Sequence, residues 1–178
     1  MNIFAHIERL DDFQFNVVKY YSVYLEVDGE VNDVNEFFDF LNRMEDIEEI
    51  EDDLSNLLVW IEEIGENFGA DKNRFFRNES ITADVQALPP PAKQMQVYEI
   101  PVENLRLYCL VLNRHVVFLF NGGIKTTHNA KNCPNVGTYI KRANKIACQI
   151  DVLLKENEIT WNFDHTDIEF DEKLEFEL

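Results

Sequence analysis

The segment that most constrains the fold is LRLYCLVLNRHVVFLFNGGIKTT, residues 105–127, because two apolar runs flank a short turn signal. The runs, residues 105–112 and 115–120, are rich in Val, Leu, Phe and Tyr, which favour strands. Asn113-Arg114 separates them, and Asn tolerates the left-handed backbone that tight hairpin turns need. Asn121-Gly122-Gly123 is predicted to end the second strand. The segment therefore predicts a β-hairpin that runs into a polar, lysine-bearing loop, with functional groups just past its end.

Two amphipathic helices are predicted to follow an N-terminal strand. Apolar and polar residues alternate over 14–27, which indicates a strand, and Asp28-Gly29 supplies a turn. Apolar residues then recur every three or four positions over 34–44 and again over 47–68. This pattern predicts an α-helical hairpin.

The second half of the chain adds further strands and a last helix. A strand is predicted over 95–101, then the hairpin, then a helix that begins near Pro134-Asn135 and keeps an apolar stripe to Leu154. The predicted order is thus β-α-α-β-β-β-α. The expected fold class is α+β, with one antiparallel sheet, an N-terminal helical hairpin and a C-terminal helix.

The length of 178 residues fits one good hydrophobic core. Residues 1–154 are expected to form a single α+β domain with an inserted loop over 70–95. Residues 155–178 are expected to be an acidic C-terminal extension, in which the alternating Ile159, Trp161 and Phe163 suit an edge strand.

The net charge of −18 argues against a nucleic-acid binder, since Lys and Arg drive phosphate binding, but its distribution changes that conclusion. Residues 1–70 carry 3 basic and 19 acidic groups, residues 71–150 carry 11 and 5, and residues 151–178 carry 2 and 10. The acidic ends are either solvated helix faces with a solubilising tail or a mimic of RNA charge. The basic middle is where an RNA site is expected.

Cellular location and cofactors follow from what the sequence lacks. The chain has neither a signal-peptide pattern nor an apolar run long enough to cross a membrane, so we expect a cytoplasmic protein that does not contact the membrane. Cys109, Cys133 and Cys148 lack CxxC spacing and are expected to be reduced thiols. No His or Cys spacing suggests a metal, and no Gly-rich loop precedes a helix in phosphate-binding form, so no cofactor is expected.

The 70–95 segment contains basic residues interleaved with aromatic ones, chiefly Arg74 and Phe75. Such a pattern can hold single-stranded nucleic acid, with charge for the phosphates and rings for the bases. The alternative is that Phe75-Phe76 anchors the segment to the core.

A family resemblance rests on several local patterns in order along the chain. They are Leu88-Pro89, the sequence VYEIP, the Arg-bearing LRLYCLV, the hairpin into VVFLF, a lysine just after it, Pro134, and a helix centred on YIKRANKIA. Over roughly residues 19–154 the chain resembles the RelE/HigB-like toxin superfamily, especially its phage-derived branch. The resemblance implies a RelE-like fold, a type II toxin–antitoxin system, a helix-turn-helix antitoxin as partner, and ribosome-dependent mRNA cleavage by attack of the 2′-OH on the adjacent phosphate.

The resemblance also implies two site residues, and composition alone suggests further candidates. Arg106 matches the family's strand arginine, a candidate for stabilising phosphate charge, and Lys125 matches the first of its paired lysines, whereas the second position is Thr126. His128 is a candidate for proton transfer because imidazole titrates near neutrality. The further candidates for binding RNA are Lys131, Arg142, Lys145, Arg74 and Phe75.

Other roles for these residues remain open at this point. Arg106 either serves the site, pairs with an acidic neighbour or extends from its strand to solvent. Lys125 is either a site residue or a solvated charge.

Two functions therefore remain open from the sequence. The first is a toxin-like mRNA endoribonuclease, and the second is a non-enzymatic module that kept the fold and binds a protein through its acidic N-terminal helices. A third arrangement combines them, with an acidic segment folded across the RNA cleft.

Overall fold

A mixed β-sheet runs through the middle of the molecule, with helices on both of its faces. The structure is a computed structural model and describes residues 1–79, 83–126 and 134–178. The strands in these ranges are β1 (Ile3–Gln14), β2 (Lys19–Val27), β3 (Glu30–Val31), β4 (Arg77–Asn78), β5 (Gln86–Leu88), β6 (Leu105–Asn113), β7 (Val116–Ile124), β8 (Ile159–Trp161), β9 (Ile168–Phe170) and β10 (Glu175–Glu177). The α-helices are α1 (Glu36–Met44), α2 (Glu51–Glu63), α3 (Lys72–Phe75), α4 (Ala92–Tyr98) and α5 (Gly137–Lys155).

The main sheet has eight strands in the order β10-β1-β2-β7-β6-β5-β4, with β3 paired to β2. Its pairs are antiparallel except for β2 and β7, which run parallel with Tyr21 opposite Phe118. Strands β8 and β9 form a separate two-stranded sheet. The parallel pair joins the N-terminal meander to the β6–β7 hairpin at the centre of the sheet.

The predicted RelE-like α+β fold is wrong. The structure is a mixed α/β arrangement with a large eight-stranded sheet that contains a parallel pair, rather than one small antiparallel sheet. One reason is β1, a twelve-residue strand whose charged residues hide its alternation in the sequence. Another is the strand predicted over 95–101, whose residues 95–98 instead belong to α4, which starts directly after Pro91 because the fixed φ of proline suits a helix start.

Strands β6 and β7 are buried on both faces. Along β7, Val116, Phe118 and Phe120 belong to one hydrophobic cluster, while Val117 and Leu119 belong to the other. Successive side chains of a strand point to opposite faces, so the two clusters lie on opposite sides of the sheet. The central strands therefore need a covering layer on each side.

Helix α5 supplies the first layer, and α1 and α2 supply most of the second. Ile140 and Ile146 of α5 are fully buried in the first cluster. Phe37 of α1 and Trp60 and Ile61 of α2 are fully buried in the second.

The two glycines of Asn121-Gly122-Gly123 do not end β7, as the sequence predicted, but lie inside it. A Cβ atom on Gly122 would lie 1.9 Å from the backbone oxygen of Arg106 on β6. On Gly123 it would lie 2.9 Å from the backbone oxygen of Asn135, just before α5. The glycines thus permit close approach of neighbouring backbone on both sides of the strand.

Residues 159–177 form β8, β9 and β10. The β8–β9 hairpin packs beside the first cluster, and Asp167 ahead of β9 accepts hydrogen bonds from Tyr21 and from Arg9, the latter at 2.8 Å. Strand β10 pairs with β1 at the edge of the main sheet.

In the part of the chain that the structure describes, no helix has the length and apolar character needed to cross a membrane.

Replacing Gly122 with Ala is expected to lower the free energy of unfolding by about 3 kcal/mol, because the new methyl group meets fixed backbone rather than a movable side chain. Gly29→Ala is the comparison, since its Cβ would meet nothing within 4 Å and only its φ of +88° is strained. It should cost about 1 kcal/mol. Urea denaturation of both variants checks this, and equal losses would contradict close backbone packing at Gly122.

Candidate functional site

A cleft of about 560 Å³ opens where α1, the end of β7 and the start of α5 meet. Its lining includes Glu36, Asp39 and Arg43 of α1, and Tyr139 and Arg142 of α5. We call it the α1–α5 cleft. None of its described lining residues comes from 155–178, so the acidic C-terminal extension does not fold across it.

Helix α1 is fixed at its start by Asn35. The Asn35 side-chain oxygen accepts a hydrogen bond from the backbone N–H of Phe38 at 2.8 Å, which satisfies one of the free donors of the first turn. The Asn35 amide nitrogen donates to Glu8 of β1, which ties the cap to the sheet. Phe37 and Phe40 then face the core, so Glu36 and Asp39 are directed towards the end of β7.

Glu36 is a buried carboxylate paired with Arg142. Its side chain is only 5% exposed, and Arg142 Nη1 donates to its two oxygens at 3.1 and 3.3 Å. Burial raises the pKa of Glu36 above the usual value, because a desolvated carboxylate is costly, and the positive charge of Arg142 offsets only part of this effect.

Arg43 links α1 to the end of β7. Its Nε donates to Asp39 at 3.0 Å, and its Nη2 donates to the side-chain oxygen of Asn121 and to the backbone oxygen of Gly122, the latter at 2.8 Å. The Asn121 amide also donates to Asp39 at 2.8 Å. This network fixes the direction of the Arg43 guanidinium in the cleft.

Tyr139 lies between the two arginines of the cleft. The guanidinium carbon of Arg43 is 4.5 Å from the Tyr139 ring centroid, and that of Arg142 is 5.9 Å away. Both distances are within the range of a cation–π interaction. The ring therefore attracts both guanidinium groups of the cleft.

Both arginines retain donors for a ligand. Within the described part of the chain, the hydrogen bonds of Arg142 use only Nη1, and those of Arg43 use Nε and Nη2. Each side chain is 32% exposed. Planar guanidinium groups of this kind bind phosphate and carboxylate oxygens, and a carboxylate of raised pKa is a better proton acceptor near neutrality.

The structure places the predicted site residue Arg106 outside the cleft lining. Its side chain is 10% exposed, its Nη1 donates to the backbone oxygen of Leu105 at 2.9 Å, and its Nε lies 3.9 Å from Glu79. Of the roles that the sequence left open for Arg106, this position matches pairing with an acidic neighbour.

The other predicted residues at this end of the sheet have different positions. Lys125 directly follows β7, and its backbone N–H donates to the backbone oxygen of Asn104 at 2.6 Å. Arg142 lines the cleft, whereas Lys145 is exposed one turn further along α5. His128 and Lys131 lie outside the described residues.

Arg74 and Phe75 lie in the α2 layer rather than in the cleft. Phe75 is 1% exposed and stacks on Phe68 at 4.9 Å, so it anchors this segment to the core. Arg74 is exposed, donates to the Tyr98 hydroxyl at 2.9 Å and lies 4.8 Å from the Phe75 ring.

Sequence reasoning missed Glu36, Asp39, Arg43 and Tyr139 as site residues. One signal was present, because Arg43 is the single basic residue between Lys19 and Lys72.

Comparisons with known proteins do not supply an identity. No protein-family model, no curated protein and no solved structure matches the chain.

The stability of the wild type relative to Glu36→Gln is expected to fall as pH rises from about 4.5, the ordinary pKa of Glu, through the raised pKa of Glu36 in the folded protein. A carboxyl with a raised pKa binds its proton more tightly when folded, so ionisation favours unfolding. Urea denaturation of both proteins from about pH 4 to about pH 8 measures the difference.

Glu62→Gln, at an exposed position on α2, is the matched control and should give a difference that does not change in the same window. Arg142→Ala should enlarge the fall, because it removes the cation that opposes the raised pKa. A difference between wild type and Glu36→Gln that is constant or rises with pH would contradict the assigned environment of Glu36.

Proposed function

We propose that the protein is a toxin-like endoribonuclease that binds a single strand of RNA in the α1–α5 cleft and cleaves it by attack of the 2′-OH on the adjacent phosphate. The observation that carries the proposal is the pair of arginines, Arg43 and Arg142, around Tyr139 beside the buried carboxyl of Glu36. The local sequence resemblance to the RelE/HigB-like toxins supports the same activity, although the fold does not.

Arg43 and Arg142 take the role of phosphate binding in this proposal. Both arginines line the cleft, so a phosphodiester bound there would lie beside two positive charges and could accept hydrogen bonds from their free N–H groups. In the transition state, negative charge grows on the non-bridging oxygens of phosphorus. Guanidinium groups already fixed by Asp39, Asn121 and Glu36 stabilise that charge without reorganising.

Glu36 takes the role of general base. Its carboxylate accepts the proton of the 2′-OH as the 2′-oxygen bonds to phosphorus and the bond from phosphorus to the 5′-oxygen breaks. The departing 5′-oxygen takes a proton from solvent, so the products are a 2′,3′-cyclic phosphate and a 5′-OH. The raised pKa of Glu36 makes it a stronger proton acceptor than an ordinary carboxylate.

The setting of this activity is part of the proposal. A cytoplasmic location gives access to mRNA and to the ribosome, and it suits Cys109 and Cys148, which are both free thiols. The partner is an antitoxin of the helix-turn-helix type, whose binding would restrain the nuclease.

The wild type is expected to cut a single-stranded RNA oligonucleotide, alone or with translating ribosomes, and to leave a 2′,3′-cyclic phosphate. Arg142→Ala should lower kcat/KM by about 10²-fold or more, since it removes a donor to the developing charge. Glu36→Gln should lower it by about 10²-fold to 10⁴-fold. The measurement is gel separation of end-labelled products with mass spectrometry of the new ends.

Lys141→Ala is the matched control, because Lys141 is a basic neighbour on the same helix that does not line the cleft. It should leave the rate unchanged, and a 2′-deoxy substrate should not be cut. Absence of cleavage by the wild type in both conditions, or equal rates for Arg142→Ala and Lys141→Ala, would overturn the proposal.

A second candidate function has its own observation, the acidic surface of residues 44–71. This segment carries 11 acidic residues and no basic one. None of these carboxylates forms an ion pair with a basic side chain of the described residues. An unneutralised surface of this kind suits a basic protein partner, as a non-enzymatic module would require.

The second candidate predicts that the wild type leaves RNA intact. It also predicts that neutralising Glu48, Glu49, Glu51 and Asp52 abolishes capture of the cellular partner in affinity purification, whereas Arg142→Ala does not. The reverse result for the two sets of substitutions would exclude it.

A further inference from the structure

Three polar side chains meet on the last three strands at one edge of the main sheet, and none of them lines the α1–α5 cleft. They are His6 of β1, Glu26 of β2 and Glu175 of β10, and one possible ligand atom from each lies within 4.8 Å of the other two. In the strand register, His6 is opposite Glu175 on one side and opposite Tyr24, two residues before Glu26, on the other. Backbone pairing therefore holds all three positions on one face of the sheet.

The spacing of these atoms suits a metal ion. His6 Nε2 lies 3.1 Å from Glu26 Oε2. Two ligand atoms on one tetrahedral Zn²⁺, each at about 2.0–2.1 Å, are about 3.3 Å apart. Glu175 is exposed, so rotation of its side chain can bring its carboxylate to the same point.

The local charge also calls for a cation. Within the described residues, no Lys or Arg forms an ion pair with Glu26 or Glu175; Glu26 pairs with His6, and no ion pair neutralises Glu175. The nearest basic residue along β1, Arg9, pairs with Asp167 instead. Like charges held side by side on a sheet destabilise it unless a cation neutralises them.

A neighbouring carboxylate on this face, Glu8, differs from Glu26 and Glu175 because two neutral groups donate hydrogen bonds to it. Glu8, two residues after His6, accepts hydrogen bonds from the Tyr24 hydroxyl at 3.0 Å and from the Asn35 amide. These hydrogen bonds hold the Glu8 carboxylate in place. Glu26 has only His6 as a partner, and Glu175 has none among the described residues.

We propose that His6, Glu26 and Glu175 bind one Zn²⁺ ion. One imidazole nitrogen and two carboxylates are a donor set that zinc accepts, with a fourth position left for water. The ion would join β10 to β1 and β2 by direct bonds. This matters because β10 has only three residues and lies at the edge of the sheet.

The test is isothermal titration calorimetry of ZnCl₂ into EDTA-treated, dialysed full-length protein. The wild type is expected to bind one ion, and His6→Ala and Glu175→Gln should each weaken binding by about tenfold or more. Glu172→Gln, an exposed acid in the turn before β10, is the matched control and should bind like the wild type. Zinc should also raise the Tm of the wild type and of the control, but not of His6→Ala.

Two results would overturn the proposal. One is a wild type that binds no zinc. The other is zinc binding that is the same in wild type, His6→Ala and Glu175→Gln, which would show that scattered surface carboxylates hold the ion. Glu175 is exposed, so Glu175→Gln keeps the test valid if His6→Ala fails to fold.

Discussion

Burial of β6 and β7 on both faces is the constraint on which the rest of the structure depends. Leu107, Cys109 and Leu119 face one helical layer, while Tyr108, Phe118 and Phe120 face the other, and all are at most 1% exposed. Each face needs its own cover, because burying an apolar side chain of this size contributes about 1.5–3 kcal/mol that exposure would forfeit. Helix α5 must therefore lie opposite α1 and α2, and the two layers can meet only past the end of the central strands.

The α1–α5 cleft follows from that meeting of layers. Gly123 lets the backbone before α5 approach β7, and Asn121 binds Asp39 and Arg43 of α1. The end of β7 is thus hydrogen-bonded to α1 and packed closely against the backbone that leads into α5. Charged residues lie there because the apolar faces of the helices pack against the sheet. Glu36 and Arg142 therefore meet in a partly desolvated space, in which their electrostatic interaction is stronger than in water.

Several local patterns in the sequence predicted local structure correctly, although β1 was missed and the strand predicted over 95–101 was wrong. The hairpin, the two N-terminal helices and the last helix all depend on periodicity within one segment, and all are present. Pairing between distant segments could not be predicted in this way. Neither the parallel contact of β2 with β7 nor the attachment of β10 to β1 leaves a signal in either segment alone.

The site was harder to predict than the fold elements. Arg142 was predicted as an RNA-binding residue and lines the cleft, but Arg106 is held by Glu79 and by backbone instead. The position of Arg106 in its predicted strand shows that it lies near the end of the hairpin, but not which residues it contacts. Which guanidinium has free donors depends on Glu79, directly after β4, together with residues of α1 and β7, and no single segment of sequence contains that information.

The measurement that tests the central claim most directly is an NMR titration of ¹⁵N-labelled protein with a short RNA carrying 2′-O-methyl groups, which binds but cannot be cleaved. The account predicts that the side-chain Nε–H signals of Arg43 and Arg142 and the backbone amides around Tyr139 shift together and saturate. Signals that do not move, or shifts confined to the acidic surface of residues 44–71, would contradict an RNA site in the α1–α5 cleft.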